Sequence, residues 1–175
     1  MCLCRYVELH RKHLRRYGPS MAKVNVISAE VSPRLRLQLV ASDSIRRGEV
    51  IVQSREEEVQ ELRTWRTLQL AENRHLRNEF LNFVDHSCAP NALLDVDKLA
   101  LVAIRDIASH EPVTFFYPGS EVELSQSFEC HCGSEECLKL ISGGFYLTPG
   151  QMRWALEKGY CTAFMERQFQ RLLGT

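Results

Sequence analysis

Short alternations of apolar and polar residues run through most of this chain with a period of two. In residues 35–40 leucines alternate with polar side chains, which is typical of a strand with one face on a core. Asp97-Lys98 separates two apolar runs, as the turn of a hairpin does. Strands are predicted in this way at 35–40, 50–52, 65–70, 92–96 and 99–104. The pattern therefore predicts a mainly β fold of several short, mostly antiparallel strands.

Helical signals are concentrated near the end of the chain. Thr148 can cap a helix, Pro149 suits its first position, and Gln151 can reciprocate the cap, so a helix is predicted to about Lys158. Residues 162–173 have the spacing of an amphipathic helix.

One earlier helical signal is weaker. Ser54 and Glu57 have the spacing of a capping box and predict the start of a short helix.

Composition limits the chain to one ordinary domain with attached ends. Its 175 residues, 45% of them apolar, can bury one core. Residues 1–20 carry five basic side chains against one acid, a net charge of +4, which leaves −4 for the rest. Such a leader is compatible with a targeting segment, a nucleic-acid arm or a solvated tail, and we interpret residues 1–22 as a basic, solvated tail. The weak net charge of the remaining residues gives no indication of a nucleic-acid partner.

The cysteine content bears on the cellular compartment. No apolar run is long enough to cross a membrane, and no secretory signal pattern is present, so no membrane partner is expected. Seven cysteines in such a chain predict a reducing intracellular compartment, nucleus or cytoplasm, in which thiols remain available for metal. Oligomeric state has no signal in the sequence.

Three cysteines within eight residues form the sharpest chemical motif. Cys130, Cys132 and Cys137 are spaced like ligands in a loop around a tetrahedral metal ion, and Cys88 is the best candidate for the fourth ligand. Four thiolates would make a closed structural zinc site. Unpaired buried thiols are the alternative interpretation. His131 is not counted as a ligand, because it lies between two ligating thiols and should point away.

Several segments together resemble the SET-domain protein methyltransferases. Asp85-His86-Ser87-Cys88-Ala89-Pro90-Asn91 is similar to the family signature Asn-His-Ser-Cys-x-Pro-Asn, and residues 130–137 match its post-SET zinc loop, Cys-x-Cys-x4-Cys. Residues 104–117 are similar to the stretch that ends at the family's active-site tyrosine, and 43–51 to its first strand and turn. The resemblance covers about 24–146.

This resemblance implies a fold and a division of the chain. The expected fold is a SET-type β-fold of several small sheets, with a pseudoknot-like core, a zinc-bound post-SET loop and C-terminal helices. The expected parts are a basic tail at 1–22, a SET domain at 23–120, a post-SET zinc loop at 121–146 and a helical extension at 147–175.

The resemblance also implies S-adenosylmethionine-dependent methyl transfer to a lysine of a protein or peptide. Tyr117 is then the catalytic residue, and Asp85, His86, Tyr117 and Phe128 are the expected cofactor-binding residues. Phe115 is expected in the lysine pocket, facing it together with Tyr117 because the two alternate on a predicted strand. A phenylalanine there leaves room for more than one methyl group. His86 is not assigned as a general base.

Three departures from the family pattern keep other functions open. Asp85 replaces an asparagine, residues 32–37 lack the family's glycine pair, and Phe116 stands where aspartate is usual. One alternative is a zinc-stabilised SET-like binding or scaffold protein without methyltransferase activity. Another is a SET-fold protein that acts on a small molecule. Binding of S-adenosylmethionine distinguishes the methyltransferase hypothesis from the scaffold hypothesis.

Overall fold

A computed structural model of the protein describes residues 23–31 and 34–175. The predicted basic tail at 1–22 lies outside these residues. The strands are β1 (Val24–Val31), β2 (Arg34–Ala41), β3 (Val50–Gln53), β4 (Val59–Gln60), β5 (Leu68–Ala71), β6 (Arg74–Leu76), β7 (Asp85–His86), β8 (Ala92–Asp95), β9 (Ala100–Ala103), β10 (Thr114–Phe115), β11 (Phe128–Glu129) and β12 (Leu140–Ile141). Two α-helices close the chain, α1 (Pro149–Lys158) and α2 (Ala163–Leu173). In the described part, no helix combines the length and apolar character that a membrane crossing needs.

The strands of the described residues form five small sheets. Antiparallel pairing joins β1 to β2, β11 to β12, and the strands of two three-stranded sheets, ordered β3-β9-β8 and β4-β6-β5. The fifth sheet pairs β7 with β10 in parallel. Among the described residues, three short 3₁₀ helices lie between strands, at Glu56–Glu58, Leu81–Phe83 and Tyr117–Gly119, and a fourth, Gly144–Tyr146, lies between β12 and α1. The prediction of a mainly β fold of several small sheets with C-terminal helices is confirmed.

Distant segments interleave in the middle of the molecule. The chain between β9 and β10 runs beside the end of β2, where Val113 donates its N–H to the Leu39 carbonyl at 2.9 Å and Ile45 and Ile107 exchange backbone hydrogen bonds. It then continues into β10 and pairs with β7 on its other side. This interleaving is the knot-like core that the family resemblance implies.

Most predicted strands lie where the apolar pattern put them. The predicted hairpin is formed by β8 and β9, and the predicted strand 35–40 lies within β2. The prediction at 65–70 is wrong at its start, because β5 begins only at Leu68. Thr67 accepts a hydrogen bond from the Thr64 N–H and donates one to its carbonyl, both at 2.9 Å, which closes a turn there. Trp65 is consequently 72% exposed.

The early capping box is displaced by one residue. Glu58, not Glu57, accepts the backbone N–H of Arg55 at 2.8 Å, and the helix that follows is a single 3₁₀ turn. Ser54 caps nothing; its hydroxyl is buried and has no partner in the described structure. β3 extends to Gln53, so Ser54 directly follows the strand and does not take the capping position.

The two C-terminal helices begin where the sequence predicts. Thr148 accepts the Gln151 N–H at 3.3 Å, and the Gln151 side chain accepts the Thr148 N–H at 2.8 Å. Gly159 ends α1 in the left-handed conformation at φ 67°, which a glycine adopts at little cost. Thr162 caps α2 by accepting the Met165 N–H at 3.3 Å.

The buried apolar side chains form two separate clusters. The first, called the β core, contains Leu39, Val52, Leu76, Phe80, Leu101 and Phe115 among its members. The second, called the C-terminal core, contains Cys88, Phe116, Cys130, Ile141, Met165 and Phe169 among its members. Tyr117 contacts both clusters and therefore lies at their junction.

Close backbone contacts hold this junction together. A Cβ at Gly119 would overlap the Tyr160 carbonyl, and one at Gly144 would overlap both Pro118 and Met165. Larger residues would push the Tyr117–Gly119 turn away from the helices, so both positions require glycine.

Candidate active site and thiol cluster

The parallel pair of β7 and β10 sets the position of the candidate site. Asp85 lies opposite Thr114 and His86 opposite Phe115, although these pairs are far apart in the sequence. The buried Asn91 side chain fixes the register, because it donates to the Pro112 carbonyl at 2.7 Å and accepts the Thr114 N–H at 2.8 Å. The signature segment, residues 85–91, therefore holds the strand that leads to Tyr117 in place through these hydrogen bonds.

Three consecutive aromatic residues at the end of β10 pack in different parts of the molecule. Phe115 is buried in the β core, Phe116 is buried in the C-terminal core, and Tyr117 contacts both. The rings of Phe115 and Tyr117 lie together, with centroids 4.7 Å apart. Alternation along a strand is not the reason, since β10 ends at Phe115 and Tyr117 begins a 3₁₀ turn.

Phe116 explains one departure from the family pattern. Its ring is 1% exposed and packs edge-on against Trp154 of α1, with centroids 5.5 Å apart, and against Tyr160 at 6.2 Å. A charged aspartate there would be buried among apolar side chains. The phenylalanine instead attaches the C-terminal helices to the site.

Two hydrogen bonds hold Tyr117. Its hydroxyl donates to the Val84 carbonyl at 2.8 Å, and its backbone N–H donates to His86 Nδ1 at 3.2 Å. Both partners lie at or beside β7, so the tyrosine is positioned by the same segment that holds its strand. The phenol can therefore keep one orientation.

His86 links the tyrosine to the thiols. Burial lowers the pKa of His86 to about 4, so the ring is neutral at pH 7. Because Nδ1 accepts from Tyr117, the proton resides on Nε2, which lies 3.4 Å from Cys88 Sγ. The ring also contacts Phe128 with centroids 5.7 Å apart. His86 therefore lies between Tyr117 and the thiol cluster and contacts both.

A cavity of about 240 Å³ opens beside Tyr117. The residues that line it include Arg63, Trp65, Phe115, Tyr117, Glu121 and Phe128. Three of the predicted site residues therefore share one cavity wall: Phe115, Tyr117 and Phe128. Asp85 and His86 do not line it, and Asp85 instead accepts a hydrogen bond from Gln38 Nε2 at 2.6 Å.

Glu121 is the site residue that the sequence did not reveal. It is 6% exposed, and its Oε1 accepts the backbone N–H of Gln69 at 2.7 Å. Burial raises the pKa of Glu121 to about 7, although the Gln69 hydrogen bond and the charge of Arg63 oppose that rise. Nothing in the local sequence separates this glutamate from the exposed Glu123, because its burial arises from contact with β5.

The thiol cluster lies on the other side of His86. The Sγ atoms of Cys88, Cys130, Cys132 and Cys137 all lie within 4.8 Å of one another, and those of Cys88 and Cys130 are 4.0 Å apart. In a tetrahedral zinc site with Zn–S bonds of about 2.3 Å, sulfurs lie about 3.8 Å apart. The structure therefore brings together all four predicted ligands at a suitable separation.

Local pairing closes the loop that carries three of these thiols. Phe128 pairs with Ile141 in the β11–β12 ladder, so the two ends of the loop meet. Gly133 turns the chain with φ 74° between the second and third thiols. The Leu138 N–H then points at Cys88 Sγ at 3.4 Å, which joins the loop to the β7 segment.

The chemistry of the cluster fits a divalent cation. Burial raises the pKa of Cys88 and Cys130, the latter to about 12, so these thiols resist ionisation without a compensating charge. Burial acts in the same direction on Cys132, but hydrogen bonds outweigh it and lower that pKa to about 7. His131 is outside the cluster; its side chain is 76% exposed and lies 3.8 Å from Glu129. Four thiols in mutual contact form a donor set that suits structural zinc.

Comparison with known proteins gives matches over the segment that contains Cys88 and Tyr117. The SET domain model matches residues 36–118. The chain is 38% identical over 65 residues to Methyltransferase flvH of Aspergillus flavus, covering 36% of each chain. It is 37% identical over 67 residues to Histone-lysine N-methyltransferase, H3 lysine-36 specific, of Candida albicans, covering 35% of this chain and 8% of that one.

A third relative and a solved structure belong to human proteins. Identity to Histone-lysine N-methyltransferase 2D is 30% over 66 residues, covering 34% of this chain and 1% of that one. The methyltransferase domain of human Histone-lysine N-methyltransferase SETMAR aligns with a TM-score of 0.49 and 16% identity, covering 69% of this chain and 59% of that one. The sequence matches thus span about a third or less of each relative's length.

Proposed function

Because the chain belongs to the SET-domain family through residues 36–118, we propose that it transfers a methyl group from S-adenosylmethionine to a lysine of a protein or peptide. The observation that carries the proposal is the position of Tyr117. Its hydroxyl is anchored to the Val84 carbonyl at 2.8 Å, on the wall of a cavity that Phe115 and Phe128 also line. A cavity with aromatic side chains and an oriented tyrosine hydroxyl suits the terminal amine of a lysine side chain.

The residues beside Tyr117 fit the cofactor. His86 and Phe128 place their rings 5.3 Å and 6.0 Å from that of Tyr117, and such an aromatic group offers faces and edges for a purine. Asp85 supplies a half-buried carboxylate, which can accept a hydrogen bond from the cofactor's ammonium group but repels its carboxylate. When bound, S-adenosylmethionine supplies a methyl group on a positively charged sulfur. We therefore assign Asp85, His86, Tyr117 and Phe128 to its binding.

Positioning is the main task of the chain's own residues. A hydroxyl that donates to Val84 can also accept a hydrogen bond, so Tyr117 can receive the N–H of the amine and aim its lone pair. The apolar wall at Phe115 disfavours the ammonium form of the amine by desolvation. Because Phe115 carries no hydroxyl, it leaves space for an amine that already bears a methyl group.

The zinc site has a structural role in this proposal. We assign zinc to Cys88, Cys130, Cys132 and Cys137, where it would hold the loop with Phe128 against β7. Thiolate ligands persist in a reducing compartment, so we place the protein in the nucleus or cytoplasm. The proposed division is a SET domain at 23–120, a post-SET loop at 121–146 and a helical extension at 147–175.

Calorimetric titration of the zinc-loaded protein with S-adenosylmethionine tests the first step. Binding is expected, and its absence would favour a scaffold function. Methylation of lysine peptides, followed by mass spectrometry, tests the second step. Histone H3 peptides are the first probes, because two relatives carry histone-lysine names.

Substitution of Tyr117 tests the location of the chemistry. Tyr117→Phe should leave cofactor affinity nearly unchanged and slow methyl transfer by at least about tenfold, equivalent to about 1.4 kcal/mol of transition-state stabilisation. Full activity in this variant would place the chemistry elsewhere.

A further inference from the structure

Glu121 is a buried acid on the wall of the cavity that also contains Phe115 and Tyr117. One of its oxygens, Oε1, accepts the Gln69 N–H at 2.7 Å. Within the described residues, the other oxygen makes no hydrogen bond or ion pair. A carboxylate can accept several hydrogen bonds, so Oε2 retains its capacity for a ligand.

We propose that Glu121 binds the protonated amine of the substrate in this cavity, through Oε2. The assignment rests on the proposed function, because it takes the cavity lined by Phe115 and Tyr117 to be the lysine pocket. A lysine side chain enters such a pocket as an ammonium, since its unperturbed pKa is about 10.4. A buried carboxylate beside it compensates the charge that the aromatic walls cannot solvate.

Among the charged residues that line the cavity, Glu121 is the one suited to bind an ammonium group. Arg63 and Arg66 line the cavity from the segment before β5, and Arg63 donates to the backbone carbonyl of Glu123. No salt bridge joins either arginine to Glu121 in the described structure. Glu123 is exposed at the rim, where its carboxylate accepts the hydroxyl of Tyr146 at 2.6 Å.

A purely structural role does not need the negative charge. Glu121 and Gln69 form a reciprocal link between β5 and the turn after Tyr117, because the Gln69 side chain in turn accepts the Val122 N–H at 3.1 Å. A neutral amide oxygen can replace the carboxylate oxygen in that link. Glu121→Gln therefore preserves the link and removes the charge, which separates the two roles.

The test is direct binding of n-butylammonium chloride, which has the four carbons and the amine of a lysine side chain. Its affinity for the zinc-loaded full chain is measured by NMR titration, for the wild type, for Glu121→Gln and for Glu72→Gln. Glu72 is an exposed acid in the turn between β5 and β6 and serves as the matched control. Thermal unfolding of each variant checks that the fold is retained.

Glu121→Gln is expected to weaken n-butylammonium binding by at least about tenfold, because hydrogen bonds between charged partners are stronger than neutral ones. Glu72→Gln should bind like the wild type. Equal affinity in the wild type and Glu121→Gln, or no binding to the wild type, overturns the assignment. Selective binding without any methyl transfer to peptides would retain the assignment and reject the proposed function.

Dependence on pH gives a second readout. Since the pKa of Glu121 is raised to about 7 by burial, the carboxylate is ionised above that pH and neutral below it. Wild-type affinity should therefore rise from about pH 6 to about pH 8, whereas Glu121→Gln should show no such rise. The nearby arginines keep their charge throughout this range. A parallel rise in both proteins contradicts the role of Glu121.

Discussion

The β core and the C-terminal core differ in what holds them together. In the β core, aliphatic side chains such as Leu39 and Leu101 pack between paired strands, and the backbone hydrogen bonds of those strands fix their positions. In the C-terminal core, short two-residue strands and two helices meet around thiols and large side chains such as Phe169. The second core includes the four-thiol cluster, whereas the β core contains no cysteine among its described members.

This difference explains where the candidate site lies. Phe115 belongs to the β core, Phe116 to the C-terminal core, and Tyr117 contacts both. Residues of both regions line the cavity, with Leu81 and Phe115 from the β core and Leu124 and Phe128 packed against the C-terminal core. Methyl transfer should consequently depend on attachment of the C-terminal region even when the β core is intact.

Metal removal should produce the largest difference in stability between the two cores. Structural zinc sites in finger peptides have apparent binding free energies of about 10–16 kcal/mol at pH 7, which exceed any single side-chain contact. Chelation of the purified protein should therefore expose residues after Phe128 to protease and hydrogen exchange, while β8 and β9 remain protected. Elemental analysis should first show one zinc per chain.

Cys88→Ser is the matched variant for this experiment. It should lower the zinc content and reproduce the loosening of the C-terminal region. Equal zinc in Cys88→Ser and wild type would contradict the four-thiol assignment. Uniform protection after confirmed metal loss would contradict the proposed dependence of this core on zinc.

A pair of phenylalanine substitutions should produce the next largest effect. Phe116 and Phe80 are each 1% exposed, the first in the C-terminal core and the second in the β core. Truncation of a buried phenylalanine to alanine costs about 3–5 kcal/mol. Phe116→Ala should speed hydrogen exchange mainly in α1 and α2, and Phe80→Ala mainly in the sheets. Identical exchange patterns would show that the two cores unfold as one unit.

Asp85→Asn should have a smaller effect, on the cofactor. The amide keeps an oxygen for Gln38, which donates to Asp85 at 2.6 Å, and it adds a donor while removing a half-buried charge. A change in a hydrogen bond to a charged group is typically about 1.5–3 kcal/mol, so S-adenosylmethionine should bind more tightly by calorimetry. Weaker binding would instead identify the aspartate as an adaptation of this chain.

Phe115→Tyr should have the smallest effect. Its ring lies 4.7 Å from that of Tyr117, so an added hydroxyl can hold a water or bond the amine in the same pocket. The first methyl should still be transferred, and later methyl groups should be transferred more slowly. Mass spectrometry of the peptide products measures this distribution. An unchanged distribution would place the pocket elsewhere.

The local signals in the sequence were sufficient for several elements. The hairpin of β8 and β9 follows from two apolar runs around Asp97-Lys98, and α1 follows from the reciprocal cap of Thr148 and Gln151. Both depend on residues that are close in the chain. The prediction at 65–70 was wrong at its start because the Thr64–Thr67 turn is also local but has a less distinctive pattern.

The candidate site was predictable only in part. Cys130, Cys132 and Cys137 indicate a metal loop by their spacing, Cys88 was the candidate for the fourth ligand, and the resemblance led to Tyr117. Glu121 gave no signal, because an acid is marked as functional only once its burial is known. The 6% exposure that distinguishes it is produced by β5.

The sequence by itself determined most of the strands, the two C-terminal helices with their caps, and the identities of the thiols, since these follow from local periodicity and spacing. The tertiary structure decided which residues meet at the candidate site. The parallel pairing of β7 with β10 places His86 beside Phe115, and the turn after β10 directs Phe116 and Tyr117 to different neighbours. Such pairings join segments far apart in the chain, and their free energy depends on packing that no local pattern encodes.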